Sequence, residues 1–269
     1  MFAAVARSCK ILRVRRRTLS VFLLALSPFS QARADIKTDF RFLPTFFRGD
    51  FGSDVTTDIT YLPFTLVLTT DRQEFRVTLP FVSIQTEQPV TFVGGDVIGR
   101  KGAAGPSTES GLGDVILQEE YFFLRGSTLR PWISGLLMVK LPTADEAKGL
   151  GTGEADYGPG ASITQPLGSR LSLFGEARYV LRGSPPGEDF RNTRWMSAGG
   201  QLKVTPATSI NTVYEDRQSV LAGRPDIRDV GLGLARRFPS GIVFRGSYYY
   251  GLSSTAEDWG ISAGVSFSP

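Results

Sequence analysis

Gly149, Gly151 and Gly153, bracketed by Asp145, Glu146, Glu154 and Asp156, are the residues of this 269-residue chain whose types and spacing come nearest to chemistry. Glycines so spaced can bring backbone N–H groups to a phosphate, and acids so placed can hold a hard cation. A dinucleotide fingerprint, however, needs a third glycine three residues after the second and a helix aimed at the pyrophosphate. Here that position is Glu154, and the alternation that follows predicts a strand. A Walker loop needs Gly-Lys-Ser/Thr after its glycines, and an EF-hand needs an acid spacing that these four residues lack. The run reads as an external loop between two strands, with a loose surface ion site as the lesser alternative. No cofactor and no metal centre are expected.

The rest of the inventory removes whole classes of chemistry. There is no histidine, so a Ser-His triad, a histidine base and a histidine-held metal are all excluded, and the chain is not expected to be an enzyme. The single cysteine, Cys9, precedes an apolar run. That run, Leu19–Phe29, lies between the basic stretch 13–17 and the small-residue site Ala32-Arg33-Ala34, the three parts of a secretory signal. It is shorter than the roughly 20 residues a membrane helix needs. Residues 1–34 are therefore expected to be a cleaved signal peptide and residues 35–269 a single domain without disulfides. Seven of the 30 basic residues lie in the leader, where no acid occurs, which leaves 23 against all 26 acids. The basic pI belongs to the leader, and no nucleic-acid partner follows from it.

What must position any lumenal or loop chemistry is a set of strands. After the leader, segments of 10 to 14 residues with period-2 alternation recur between turn residues. In 74–81, Phe75, Val77, Leu79 and Phe81 share one face while Glu74, Arg76 and Thr78 share the other. Twelve strands are predicted, near 38–48, 58–70, 74–85, 112–125, 129–141, 159–167, 171–181, 194–205, 209–218, 228–237, 242–251 and 258–267. Their connections alternate between short (71–73, 126–128, 168–170, 206–208, 238–241) and long (49–57, 86–111, 142–158, 182–193, 219–227, 252–257). A soluble sandwich has no reason to sort its loops in this way. A transmembrane up-and-down barrel does, with tight periplasmic turns, long external loops and both chain termini in the periplasm.

Strand length and the impossibility of an open sheet edge in lipid turn the apolar face outward. Aromatic residues near strand ends, among them Phe40, Phe47, Tyr61, Trp195 and Trp259, fit interfacial girdles. The inward, pore-lining set is then Arg76, Glu120, Lys140, Glu176, Arg178, Lys203, Glu215, Arg217 and Arg245, with Asp145, Glu146, Glu154 and Asp156 on an external loop. These charges either brace the interior by cross-strand pairing or line a water-filled path. Glu119 breaks the pattern, since Leu117 and Tyr121 beside it face lipid; a bulge or a change of parity between Val115 and Phe123 is expected to resolve it.

The stretches Arg76–Ser83, Gly111–Phe123 and Val139–Gly160 occur in the order of an outer-membrane family, and with them nearly the whole mature chain resembles it. That family is labelled "Putative MetA-pathway of phenol degradation". Ala144 stands where members commonly have glycine after Leu-Pro-Thr. The resemblance implies a barrel in the outer membrane of a Gram-negative bacterium that passes small, aromatic solutes among them. Its partners would be outer-membrane lipid, the barrel assembly machinery and the solute. The expected function is passive uptake; a closed structural or surface-interaction barrel is the alternative.

Overall fold

The computed structural model describes residues 36–100 and 105–268; the expected leader and its cleavage site lie outside them. In chain order the strands are β1 (Lys37–Phe42), β2 (Thr45–Gly49), β3 (Thr57–Thr69), β4 (Gln73–Thr86), β5 (Val90–Val93), β6 (Asp96–Gly99), β7 (Ser107–Leu112), β8 (Val115–Leu124), β9 (Trp132–Leu141), β10 (Asp156–Leu167), β11 (Leu171–Val180), β12 (Thr193–Lys203), β13 (Thr208–Arg217), β14 (Ile227–Arg237), β15 (Ile242–Gly251) and β16 (Trp259–Phe267). Fourteen form one antiparallel sheet and β5–β6 a separate hairpin. β1 and β2 run one after the other between β3 and β16, and β7 and β8 run one after the other along β4, so the wall has twelve staves.

Both breaks have a local cause. Pro44 has no N–H to give the ladder; its carbonyl still accepts from Ala263 N at 3.2 Å. At the second break Gly113 N donates to Pro80 O at 2.8 Å, which keeps the stave on β4. The sheet closes through β16, which pairs with β15 from Trp259 to Phe267 on one side. On its other side it meets β1 at Phe40–Phe42 and β2 at Thr45–Arg48. No stave is left with an open edge, the condition for standing in hydrocarbon.

Solvent exposure fixes which face is which. Phe64 (55 %), Leu232 (60 %) and Ile261 (51 %) are among the most exposed side chains, while Arg178 is 14 % exposed and Asp229 4 %. An apolar belt of this extent on a water-soluble protein would be an aggregation hazard; around a closed barrel it is the surface that lipid wets. The predicted staves are all present, and three of their bounds shift by three residues or more, the first being β9, which begins at Trp132. β10 begins at Asp156, and the fourth stave begins at Ser107.

The expected external loop 86–111 is therefore shorter, and it holds the β5–β6 hairpin. Gly94 and Gly95, with φ 58° and 96°, make the two-residue turn whose left-handed geometry suits a twisted hairpin. The hairpin folds into the barrel mouth. Val90 and Val97 pack with Phe51, Ile59, Val82, Ile84 and Leu150; Val93 and Ile98 pack with Phe190 and Val220. Phe92 meets the inward ring of Tyr61 at 6.4 Å between centroids. Loops from four inter-stave connections thus close over it.

The glycine-rich run finds its role here. Asp145 caps a 3-10 turn (Glu146–Lys148) by accepting from Ala147 N, and Gly149 ends it at φ 74°. Gly149 O then accepts from Phe92 N at 2.8 Å, and a Cβ on Gly149 would meet Val90 O at 2.1 Å. The run is a seat for the hairpin.

Candidate functional site

The inner wall carries its charges in layers between the turn end, where the short connections lie, and the loop end, where the hairpin sits. Midway, the antiparallel register brings Glu74, Arg76, Gln118 and Glu120 together, since Arg76 stands opposite Gln118 and Glu74 opposite Glu120. Arg76 bridges Glu74 and, at 3.3 Å, Glu120. The other Glu120 oxygen accepts from Ser134 Oγ at 2.6 Å and Ser162 Oγ at 3.1 Å. Arg178 bridges Glu176 and lies 4.7 Å from the ring centre of Trp195. With its amide turned, Gln118 accepts from both terminal nitrogens of Arg178, at 2.9 and 3.2 Å. This belt of two guanidiniums and three carboxylates spans β4 to β12.

Nearer the loop end, Lys140 Nζ lies 3.0 Å from Asp114, 3.4 Å from Asp156 and 3.0 Å from Thr152 Oγ1. Arg182 holds the same Asp156 oxygen at 2.9 Å and donates to Thr193 Oγ1 at 3.1 Å. Lys140 and Asp156 are buried, and the Asp114 side chain is 9 % exposed. Stripping one partner from such a set leaves an uncompensated charge, at a cost of about 3–5 kcal/mol. The cluster thus fixes β9, β10 and the loop entrance relative to each other.

Two further arginines tie the hairpin to the wall. Arg217 pairs with Asp229 at 2.7 Å and donates to Gly95 O at 3.4 Å. Asp96 is 3 % exposed and accepts from Ser219 Oγ at 2.9 Å, Val220 N at 3.1 Å and Arg224 Nη1 at 2.8 Å; Arg224 also donates to Phe51 O. At the turn end the arrangement differs. Lys203, Arg237 and Arg245 line a polar cavity of about 300 Å³, and none of them forms an ion pair among the described residues.

The nine residues expected to line the interior fall into separate groups. The structure joins Arg76, Glu120, Glu176 and Arg178 into the central belt, and Glu215 with Arg217 below the hairpin. Lys140 belongs to the loop-end cluster and Lys203 and Arg245 to the turn end. Asp145, Glu146 and Glu154 lie in the connection between β9 and β10. Asp156 does not: it opens β10, is 1 % exposed and is committed to Lys140 and Arg182. Phe47, Tyr61 and Trp195 leave the expected girdle and point inward, to Tyr249, Phe92 and Arg178 respectively.

Glu119 keeps its parity. The ladders of β8 with β4 and β9 run unbroken from Val115 to Phe122, and the only irregularity falls between Phe122 and Leu124. That shift lies beyond Glu119 and leaves its parity unchanged; Glu119 stands on the outer row between Phe75 and Leu137, with the Gln73 amide at 3.5 Å. A lipid-facing carboxyl is less costly than a basic group there.

Asp96, Arg182 and Arg224, and with them the hairpin's attachment, stand outside the set expected from strand alternation. The available signal was Gly94-Gly95 flanked by Val90-Thr91-Phe92-Val93 and Asp96-Val97-Ile98, a hairpin pattern inside what length alone marked as loop.

Glu257, in the connection before β16, gives this layer a pH response. Its side chain lies 5 % exposed, 3.9 Å from Arg217. Burial, and after it the charge of Asp229, lifts its carboxyl from the usual 4.5 to about 7, against the pull of Arg217. A raised folded-state pKa means the folded chain holds this proton while the unfolded chain has lost it. Stability is therefore greatest below about 4.5 and falls as pH rises to about 7, by up to about 3 kcal/mol. Protection factors of residues 252–258, that is, exchange rates divided by the intrinsic rate at each pH, should be larger at pH 5 than at pH 8, and Glu257→Gln should abolish the difference. Equal protection factors at both pH values in the wild-type chain would contradict the assignment.

The profile of the family described as "Putative MetA-pathway of phenol degradation" matches residues 38–268. No curated protein sequence matches the chain. Among solved structures, an outer membrane channel from Pseudomonas putida F1 superposes with a TM-score of 0.66 at 12% identity, over 89% of this chain and 97% of that one. The translocator domain of autotransporter NalP from Neisseria meningitidis gives 0.54 at 14% identity, over 93% and 95%. The β domain of the Bordetella autotransporter BrkA gives 0.51 at 14% identity, over 87% and 99%. At these identities the likeness is one of fold, and the fold is that of outer-membrane β-barrels.

Proposed function

The chain belongs to the family described as "Putative MetA-pathway of phenol degradation", and on that premise we propose that it is a passive outer-membrane channel for small solutes, aromatic compounds among them, with the β5–β6 hairpin as its gate. The observation that carries this reading is the inversion of the two faces. Charged rows line the inside of a closed barrel from the turn end to the hairpin, and an apolar belt surrounds the outside. Charged groups inside low-dielectric walls focus the field and select ions. In this reading the turn end and both termini are periplasmic, the long connections external, and the barrel performs no catalysis. The family description supports aromatic solutes.

Planar-bilayer recording with the refolded chain 35–269 tests it. Arg76→Gln/Arg178→Gln leaves Glu74, Glu120 and Glu176 uncompensated, so the reversal potential in a salt gradient should move toward cation preference. Unchanged selectivity in a conducting variant would remove the central belt from the path. Cysteine at Lys148, but not at Ser127, should react with an impermeant reagent on whole cells; the opposite pattern would invert the topology.

One observation favours a closed structural barrel as the second reading: the hairpin is packed through two apolar clusters and not merely draped across the mouth. Absence of conductance in both the wild-type chain and a chain lacking the hairpin would decide for it.

A further inference from the structure

Most cations on the inner wall above the turn end have an acidic partner. Arg76, Lys140, Arg178, Arg182, Arg217 and Arg224 each bridge a carboxylate. Among the described residues Lys203, Arg237 and Arg245 do not, although they share one cavity. Lys203 closes β12 and Arg237 closes β14, while Arg245 stands opposite Ala235 in β15, so the three reach inward from staves close together in the wall. Between them β13 supplies only Thr208 and Ser209. Arg245 Nε is buried and has no acceptor.

The charges that act on Arg245 are Arg41, Arg237 and Asp39. Asp39 is the one acid, and it is already engaged by Arg41 at 2.7 Å and by Ser268 Oγ at 3.3 Å. Among the described residues the cup therefore holds three cations without an ion-pair partner, plus hydroxyl donors from Thr208 and Ser209. Its volume of about 300 Å³ equals the liquid share of about ten waters, enough for one small-ring solute. A guanidinium fork fits a planar carboxylate through two parallel N–H···O bonds, and two such forks lie here.

We infer that this turn-end cup binds a small organic carboxylate, drawn by three unpaired cations and oriented by Arg237 and Arg245. The inference deepens the channel reading by naming a solute class, and it rests on that reading for its physiological sense. Binding itself needs no conduction.

The test is calorimetric titration of the refolded chain in detergent at low salt with benzoate, benzyl alcohol and inorganic phosphate. Benzoate should bind at least tenfold more tightly than benzyl alcohol, which has the same ring and no charge, and added salt should weaken it. Arg237→Gln/Arg245→Gln should lose roughly tenfold or more in benzoate affinity, the size of a lost charge-assisted hydrogen bond. Lys203→Gln/Arg237→Gln, which alters only residues at the stave ends, should lose affinity too while keeping the heat-dependent gel mobility of the wild-type barrel. Equal binding of benzoate and benzyl alcohol, or unaltered benzoate binding in both variants, would overturn the site. Tighter binding of phosphate than of benzoate would overturn the carboxylate. Benzoate binding without bilayer conductance would leave the site standing and remove the channel; conductance without benzoate binding would do the reverse.

Discussion

Replacing residues 89–100 by a short glycine-serine linker should raise the time-averaged conductance of the barrel about ten- to a thousandfold. The estimate comes from how the hairpin is held. Val90, Val93, Val97 and Ile98 are all buried, and each such side chain contributes about 1.5–3 kcal/mol on leaving water. The Asp96–Arg224 pair and the Phe92 N–Gly149 O hydrogen bond hold it as well. A closed state favoured by a few kcal/mol leaves the open state populated at about 0.1–10 %, and removing the hairpin makes it permanent. The staves that form the wall do not pass through residues 89–100, so heat-dependent gel mobility should be retained. A folded deletion variant that conducts no better than the wild-type chain would place the barrier elsewhere, and the Arg76–Glu120 and Arg178–Glu176 belt would be the first candidate.

Asp96→Ala should release the hairpin without unfolding the barrel. The substitution strips a partner from the Arg224 guanidinium and an acceptor from Ser219 Oγ and Val220 N, all at a buried site. Breaking a buried, hydrogen-bonded charge pair costs about 3–5 kcal/mol, or two to three orders of magnitude or more in the docking equilibrium. Because residues 35–269 contain no cysteine, a single Val93→Cys reports on docking directly. Val93 is 1 % exposed and packs with Phe190 and Val220. Its reaction with a thiol reagent should accelerate toward the fully undocked limit, about ten- to a thousandfold, when Asp96→Ala is added. Arg224→Met in the same background should recover part of the loss, because it removes the bare cation. No change in reactivity on Asp96→Ala would mean that the apolar clusters alone hold the hairpin.

The staves were legible because alternation with period 2 is a property of neighbouring residues. Glu74 to Phe81 announce a two-faced strand without reference to the rest of the chain. The inward placement of Arg76, Arg178 and Arg245 followed from the same parity. Which cations are paired was not legible, since it depends on register between staves. Arg76 meets Glu120 and Asp156 meets Lys140 across strands far apart in sequence, while Arg245 faces Ala235 and finds nothing. Asp156 was misplaced for that reason: beside Gly153 and Glu154 it looks like loop, and only Lys140 and Arg182 make it a buried strand residue. The hairpin was missed because a long connection in a barrel is expected to face water, whereas Val90 to Ile98 are apolar enough to seek the mouth.

The break at Pro44 bears on how the barrel comes apart and how it is completed. β15 runs along the whole of β16, but on the opposite side β16 is met only by the short pieces at Phe40–Phe42 and Thr45–Arg48. This join has the fewest ladder hydrogen bonds to rupture, so under load the cylinder should part there first, as a lateral slit beside the last strand. The same economy makes it a natural final step of assembly, because the two ends of the sheet can be zipped in two short strokes, with Leu43 and Pro44 as the pause between them.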